Sequence, residues 1–397
     1  MISLNIDKEI RKAKKFALLG KNNEASYVYK NILDKLKTDT LNRDLLSLEN
    51  LLEENDNLNF ELEANKFFKN YSNNSQFNYL FGLFKYKNKL FLESIIFFKN
   101  AFELNPKVFE TCHYLGKSFH HLNRFQEAID FYEKAFKLKN NDKDLLTDLS
   151  TCYFLKKEYL KCIKTLRLLI NHHPMNFHAY NELGVVYKNI SKPIIALNNF
   201  KKSIKINPKN PIAYYNIGCV YFDCGEFNNA ITYYKKAIDL NFKFEMCHLY
   251  LGLAFTKTCN YKNAERYFKN VIKINPTTIE AYFNLVGVLN QQNKLLEATE
   301  ISKLALKIQP DNIEVICNYG STLIRQKEYQ YAIKILGRGV ELEPKHLNCN
   351  IIYAIALKKI KMIKKAYSVY QKVISFNLND SFDLLHQVRF CIELKMF

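Results

Sequence analysis

Histidine and cysteine are the side chains best able to ligate a metal or act as nucleophiles, and several stand close together at Cys112, His113, His120 and His121. His113 and His120 are seven residues apart, so a helix would place them on one face but two turns distant. Two ligands of one ion on a single helix need i,i+4 spacing, so this group predicts no metal centre. Cys219 and Cys224 do not share a helix face and read as ordinary thiols. The ten cysteines form no CxxC pair, which predicts reduced thiols in a cytoplasmic compartment. The sequence has no P-loop, no GxGxxG after a strand, no HExxH and no GxSxG. We therefore expect no enzyme, no cofactor and no metal, and turn to the elements that could build a binding surface.

Those elements repeat. Gly184 in NELGVVY and Gly218 in YNIGCVY are 34 residues apart. Steps of the same size give Gly82, Gly116, Ser150, Gly184, Gly218, Gly252, Val286, Gly320 and Ala354. A second column of small residues runs from Ser94 and Ala128 through Cys162, Ala196, Ala230, Ala264, Ala298 and Ala332 to Ala366. A third holds six of the eight prolines: Pro106, Pro174, Pro208, Pro276, Pro310 and Pro344. Large apolar columns lie between, one with Phe119, Tyr153, Tyr187 and Tyr221, another with Phe98, Tyr132, Leu166, Phe200, Tyr234 and Phe268, interrupted by Ser302. This pattern predicts pairs of amphipathic helices. The glycine column is expected to cross the alanine column so that two backbones approach, and proline is expected to end each pair. Pro193 is placed in an inter-helix turn.

Small residues at repeat positions 8 and 20, aromatics at 11 and 24, and Pro at 32 resemble the tetratricopeptide-repeat (TPR) family. The resemblance implies an all-α, right-handed superhelical solenoid of about eleven stacked helix-turn-helix repeats. The expected organisation is 1–74 as degenerate N-terminal units (6–39 and 40–74), 75–380 as nine in-phase units, and 381–397 as a closing helix. Unit 143–176 departs furthest from the pattern, with Ser150, Cys162 and Leu169.

Members of the family mostly bind extended peptides or partner proteins along a groove lined by the first helix of each unit. At repeat position 6 stand Asp148, Glu182, Asn216, Tyr250, Asn284 and Asn318. Its asparagines are partly similar to the ladder of O-GlcNAc-transferase-type TPR superhelices, whose amides can donate to and accept from a peptide backbone. Neighbouring groove positions add Tyr215, Phe222, Lys188, Asn189, Asn290 and Arg325. Aromatic rings beside polar and cationic groups suit a peptide with apolar side chains and some acid. Repeat position 9 carries no Asn, so a clamp for a chaperone C-terminal carboxylate is not expected.

The formal net charge of +19 raises nucleic acid as a partner, yet only eight of the 58 basic residues are Arg. Phosphate forks and base edges favour Arg, so nucleic acid is the weaker expectation. Rival readings are an RNA-binding helical-repeat protein and the substrate-recognition subunit of a separately encoded transferase. The N-terminus lacks the apolar core of a secretory signal, and no apolar run is long enough for a membrane span. The apolar stripe of 381–397, including Phe390, suggests either a cap or a self-association surface.

Overall fold

The computed structural model describes residues 40–374 together with scattered residues between Lys12 and Ile32. Among the described residues all regular structure is α-helical. Two compact units divide the chain, Met1–Lys192 and Pro193–Phe397. The first contains α1 (Thr40–Glu54), α2 (Asn57–Tyr71), α3 (Ser75–Lys87), α4 (Phe91–Leu104), α5 (Phe109–His121), α6 (Phe125–Leu138), α7 (Lys143–Leu155), α8 (Tyr159–His172) and α9 (Phe177–Asn189). The second contains α10 (Pro193–Ile206), α11 (Pro211–Asp223), α12 (Phe227–Leu240), α13 (Glu245–Lys257), α14 (Tyr261–Ile274), α15 (Ile279–Gln291), α16 (Leu295–Ile308), α17 (Ile313–Arg325), α18 (Tyr329–Leu342), α19 (Leu347–Lys359) and α20 (Ile363–Ile374). Within each unit, consecutive helices pack on one another, so the architecture is a stack of helical hairpins. From Ser75 onward the first helix of each hairpin begins every 34 residues.

Three local devices set that rhythm. Before most first helices an Asn or Asp side chain accepts from a free backbone N–H of the first turn, as Asn74 does from Phe77 at 2.9 Å and Asn312 from Val315 at 3.0 Å. Such caps satisfy donors that have no partner inside the helix. In the turn after each first helix one residue takes a left-handed conformation: Asn55, Lys89, Asn123, Lys157, Ser191, Gly225, Cys259, Asn293, Lys327 and Lys361. Gly225 and, less fully, Asn55, Asn123 and Asn293 suit it, whereas the lysines, Ser191 and Cys259 do not, so residue types in this column gave little signal. The prolines of the third column stand two residues beyond helix ends, as Pro106 follows Leu104. Pro193 differs from expectation: it opens α10, where its missing N–H costs nothing.

The glycine column has a further steric role. A Cβ on Gly116 would lie 2.4 Å from Tyr132 Cδ1, and one on Gly252 would lie 2.6 Å from Phe268 Cε1. The glycines make room for a ring sixteen residues later. Cys162 of the alanine column meets the backbone of Ser150, its counterpart in the glycine column, donating its thiol to that carbonyl at 3.3 Å. Hairpin α15–α16 exchanges the sizes: Val286 stands at the glycine position and Ser302 at the ring position, both fully buried.

α1 and α2 pack on each other, and Phe60 of α2 stacks on Phe84 of α3 at 4.5 Å. Of the residues assigned to unit 6–39, Ala13, Ala25, Tyr29 and Ile32 are buried, and this cluster includes Leu46. The closing helix expected over 381–397, with Phe390, lies outside the described residues.

Candidate functional site

The residues at repeat position 6 share one environment. Asp148, Glu182, Asn216, Tyr250, Asn284 and Asn318 are all half-buried on first helices, α7, α9, α11, α13, α15 and α17 in turn. Helical periodicity explains this. Positions 3, 7 and 10 of these helices are buried, and position 6 falls at the edge of that apolar stripe.

The candidate residues are distributed over both units. Lys188 and Asn189 end α9 in the first unit, and the other seven belong to the second. Asn284, Asn290 and Asn318 come together across α15 and α17. Asn318 donates to the Phe283 carbonyl at 2.9 Å, and Asn290 is buried and accepts from the Thr322 hydroxyl at 3.0 Å. Asn284 donates to the Glu280 carbonyl of its own helix at 2.7 Å. These amide N–H bonds join helices or stay within one. Peptide capture by the row therefore requires the remaining carbonyl oxygens or an exchange of bonds.

Tyr215 and Phe222 form an aromatic group around Tyr250. Tyr215 lies 5.8 Å and Phe222 6.0 Å from the Tyr250 ring, both edge-on, and Tyr215 also meets Phe244 at 5.0 Å. Both rings remain half-buried. Arg325 is exposed at the end of α17, and Asn189 is exposed with its amide on the Val185 carbonyl at 2.9 Å.

The histidines have separate roles. His113 Nε2 pairs with Asp148 Oδ2 at 2.8 Å, and Lys117 Nζ lies 3.7 Å from the same oxygen. His121 stacks on Phe91 at 4.4 Å and meets the Tyr86 hydroxyl at 2.9 Å. Among the described residues no group of three or more His, Cys, Asp or Glu could hold a metal.

A cavity of about 160 Å³ opens between α7, α8 and α9. Ser150, Cys162, Leu166 and Val186 form its buried part, while Thr151, Phe154, Glu182 and Val185 are half-buried around it. Leu166 occupies the position filled by a ring in Phe98, Tyr132, Tyr234 and Phe268. Its smaller side chain leaves space between α7, α8 and α9. Burial above all, and then the Asp148 charge, raises the Glu182 carboxyl to about 7. The Cys162 thiol is pushed up to about 12, mainly by burial and further by Glu182, so it is protonated at neutral pH. This arrangement can hold a ligand with an apolar body and one polar end.

The repeat pattern also matches known proteins. The tetratricopeptide-repeat family matches over residues 109–142 and again over 211–244, and a further TPR-repeat profile matches over 196–223. The chain carries tetratricopeptide repeats. Its TPR fold is similar to that of a tetratricopeptide repeat protein from Parabacteroides merdae ATCC 43184, at 16% identity and TM-score 0.50, over 64% of this chain and 99% of that one. MamA matches at 27% identity and TM-score 0.39, over 41% of this chain and 95% of its own. YrrB, described as a TPR protein with an unusual peptide-binding site, matches at 20% identity and TM-score 0.42, over 46% and 95%. No curated protein matches the sequence.

Within this TPR stack, sequence reasoning passed over the Glu182 cavity. It had registered Ser150 and Cys162 as atypical and Glu182 as a member of the position-6 row. Leu166 was the available signal, because it breaks a run of aromatics. Its meaning depended on knowing that this column fills the space beside position 8.

Proposed function

We propose that this protein is an interaction scaffold that holds an extended segment of a partner polypeptide along the first helices of its repeats. The half-buried row at position 6 carries this reading. Within the second unit, from Asn216 to Asn318, it is neither core nor fully solvated, and it mixes amide and aromatic groups. A partner segment can cover such a row while its backbone meets amide oxygens and its side chains meet the Tyr215, Phe222 and Tyr250 rings. Among the described residues no helix is long and apolar enough to cross a membrane. Free thiols packed into the hairpin cores, such as Cys112 and Cys247, support a reducing, cytoplasmic setting.

A peptide-library selection against the full chain tests the scaffold reading, with photo-crosslinkers placed at Thr151, Asn216 or Asn284 and at the exposed second-helix residue Lys236. Selected peptides should crosslink from the first three positions and not from Lys236. They should bind more weakly to Asn216→Ala/Asn284→Ala/Asn318→Ala once circular dichroism shows that variant folded. Crosslinking only from Lys236, or no difference with the folded variant, would overturn the assignment to the first-helix row.

A further inference from the structure

We propose that the cavity between α7, α8 and α9 is a receptor for a lysine side chain, with Glu182 as the partner of its ammonium group. This deepens the scaffold reading and rests on it for the source of the lysine.

The size and lining of the cavity define the body of the ligand. Its volume of about 160 Å³ is close to the ~150 Å³ of an apolar cavity large enough for benzene. Leu166, Cys162 and Val186 line the buried part, and Phe154 and Val185 the half-buried part. An unbranched four-carbon stem suits such walls, and lysine is a side chain that buries its stem while keeping a charged end near solvent.

Electrostatics define the end group. Among the described residues Glu182 is the only charged one lining the cavity, and it is half-buried, so a ligand can reach it. Asp148 on α7 adds a second negative charge nearby, and the Cys162 thiol on α8 faces the same carboxyl. Asp148 has its own partners on α5, His113 at 2.8 Å and Lys117 at 3.7 Å, whereas the environment of Glu182 penalises its charge. An incoming ammonium group removes that penalty. In a chain of net charge +19, an acidic point at an apolar cavity selects for a cation where most of the surface repels one. A neutral apolar ligand would instead have to leave the carboxyl protonated or desolvate its charge.

Binding has a proton signature. With its carboxyl at about 7, Glu182 is about half protonated at neutral pH. An ammonium group favours the carboxylate, so binding at pH 7 releases a fraction of a proton and tightens as the pH rises from 6 to 8.

Calorimetry of the full chain with Nα-acetyl-lysine methylamide and its neutral counterpart Nα-acetyl-norleucine methylamide provides the test, run in two buffers of different ionisation enthalpy. The lysine probe should bind in the millimolar range, about tenfold more tightly than norleucine, with proton release. Glu182→Gln should remove the preference and the proton release. Ser150→Gly/Leu166→Phe, which installs the glycine–ring pair used elsewhere in the chain, should remove binding of both probes. Equal binding of the two probes, no binding of lysine, or a lysine preference that survives Glu182→Gln would each overturn the proposal. Because the probes require no polypeptide on the first helices, this result is separable from the scaffold reading. Probe binding without first-helix peptide crosslinks leaves the cation pocket and removes its polypeptide source. Peptide crosslinks without probe binding remove this inference alone.

Discussion

Gly116 and Tyr132 form a matched pair: a Cβ on the glycine would sit 2.4 Å from the ring Cδ1, and the tyrosine is fully buried. The same relation joins Gly82 to Phe98, Gly218 to Tyr234 and Gly320 to Leu336. Gly116→Ala should therefore force the ring or the helix to move and destabilise the first unit by about 1–3 kcal/mol. Adding Tyr132→Ser copies the Val286 and Ser302 exchange of sizes. The double variant should be more stable than the sum of the single changes predicts, which a urea-unfolding double-mutant cycle would show. Strict additivity would refute the steric pairing.

The hydroxyl of Tyr132 is buried without a hydrogen-bond partner among the described residues. Phe occupies the same column at Phe98 and Phe268. Tyr132→Phe removes an unsatisfied polar atom and keeps the ring, so it should stabilise the protein by about 1 kcal/mol. A lower melting temperature for the variant would indicate that the hydroxyl has a partner in solution.

Cys259 holds a left-handed conformation with φ of 56°, where the equivalent position of the preceding hairpin is Gly225. Cys259→Gly should relieve strain of about 1 kcal/mol and raise the denaturation midpoint. Cys259→Val, which resists that conformation, should lower it. Exposure of Cys259 makes a packing explanation for either change weak.

Glu265 joins α14 to the turn after α15. Its carboxylate meets Lys269 at 2.7 Å, Lys294 at 2.6 Å and Gln292 at 2.9 Å. Burial opposes the charge, but these hydrogen bonds outweigh it and lower the carboxyl from 4.5 to about 2. Since the folded value is the lower one, the stabilisation is complete above about pH 4.5 and disappears as pH falls toward 2. Glu265→Gln should cost stability at pH 7 and converge with the wild type in acid. A constant difference over this range would show that the charge is not responsible.

Glu182 has the opposite sign. Its folded value of about 7 lies above the ordinary 4.5, so its ionisation opposes folding as pH rises between those values. In the absence of ligand, Glu182→Gln should stabilise the first unit at pH 8 on the order of 2 kcal/mol relative to pH 4. Thermal melts of both proteins across that range would test the sign.

The sequence by itself determined the period, the helical pairs and the apolar columns. These follow from local chemistry: proline ends helices, and apolar residues at helical spacing must be buried together. What it could not determine was which column meets which. Glycine was expected opposite alanine, and that expectation left out the Tyr132 ring, which fills the space a Cβ on Gly116 would take. The left-handed column stayed hidden because Lys, Asn, Ser and Cys occupy positions that hairpin closure holds in place despite the local cost. The Asn row was legible as types at a spacing, yet only the packed helices show Asn318 donating its amide to Phe283. The Glu182 cavity lay furthest from the sequence. It arises where Leu166 fills less space than a ring between α7, α8 and α9. A missing volume becomes a site only when the surrounding side chains and a charge converge on it in three dimensions.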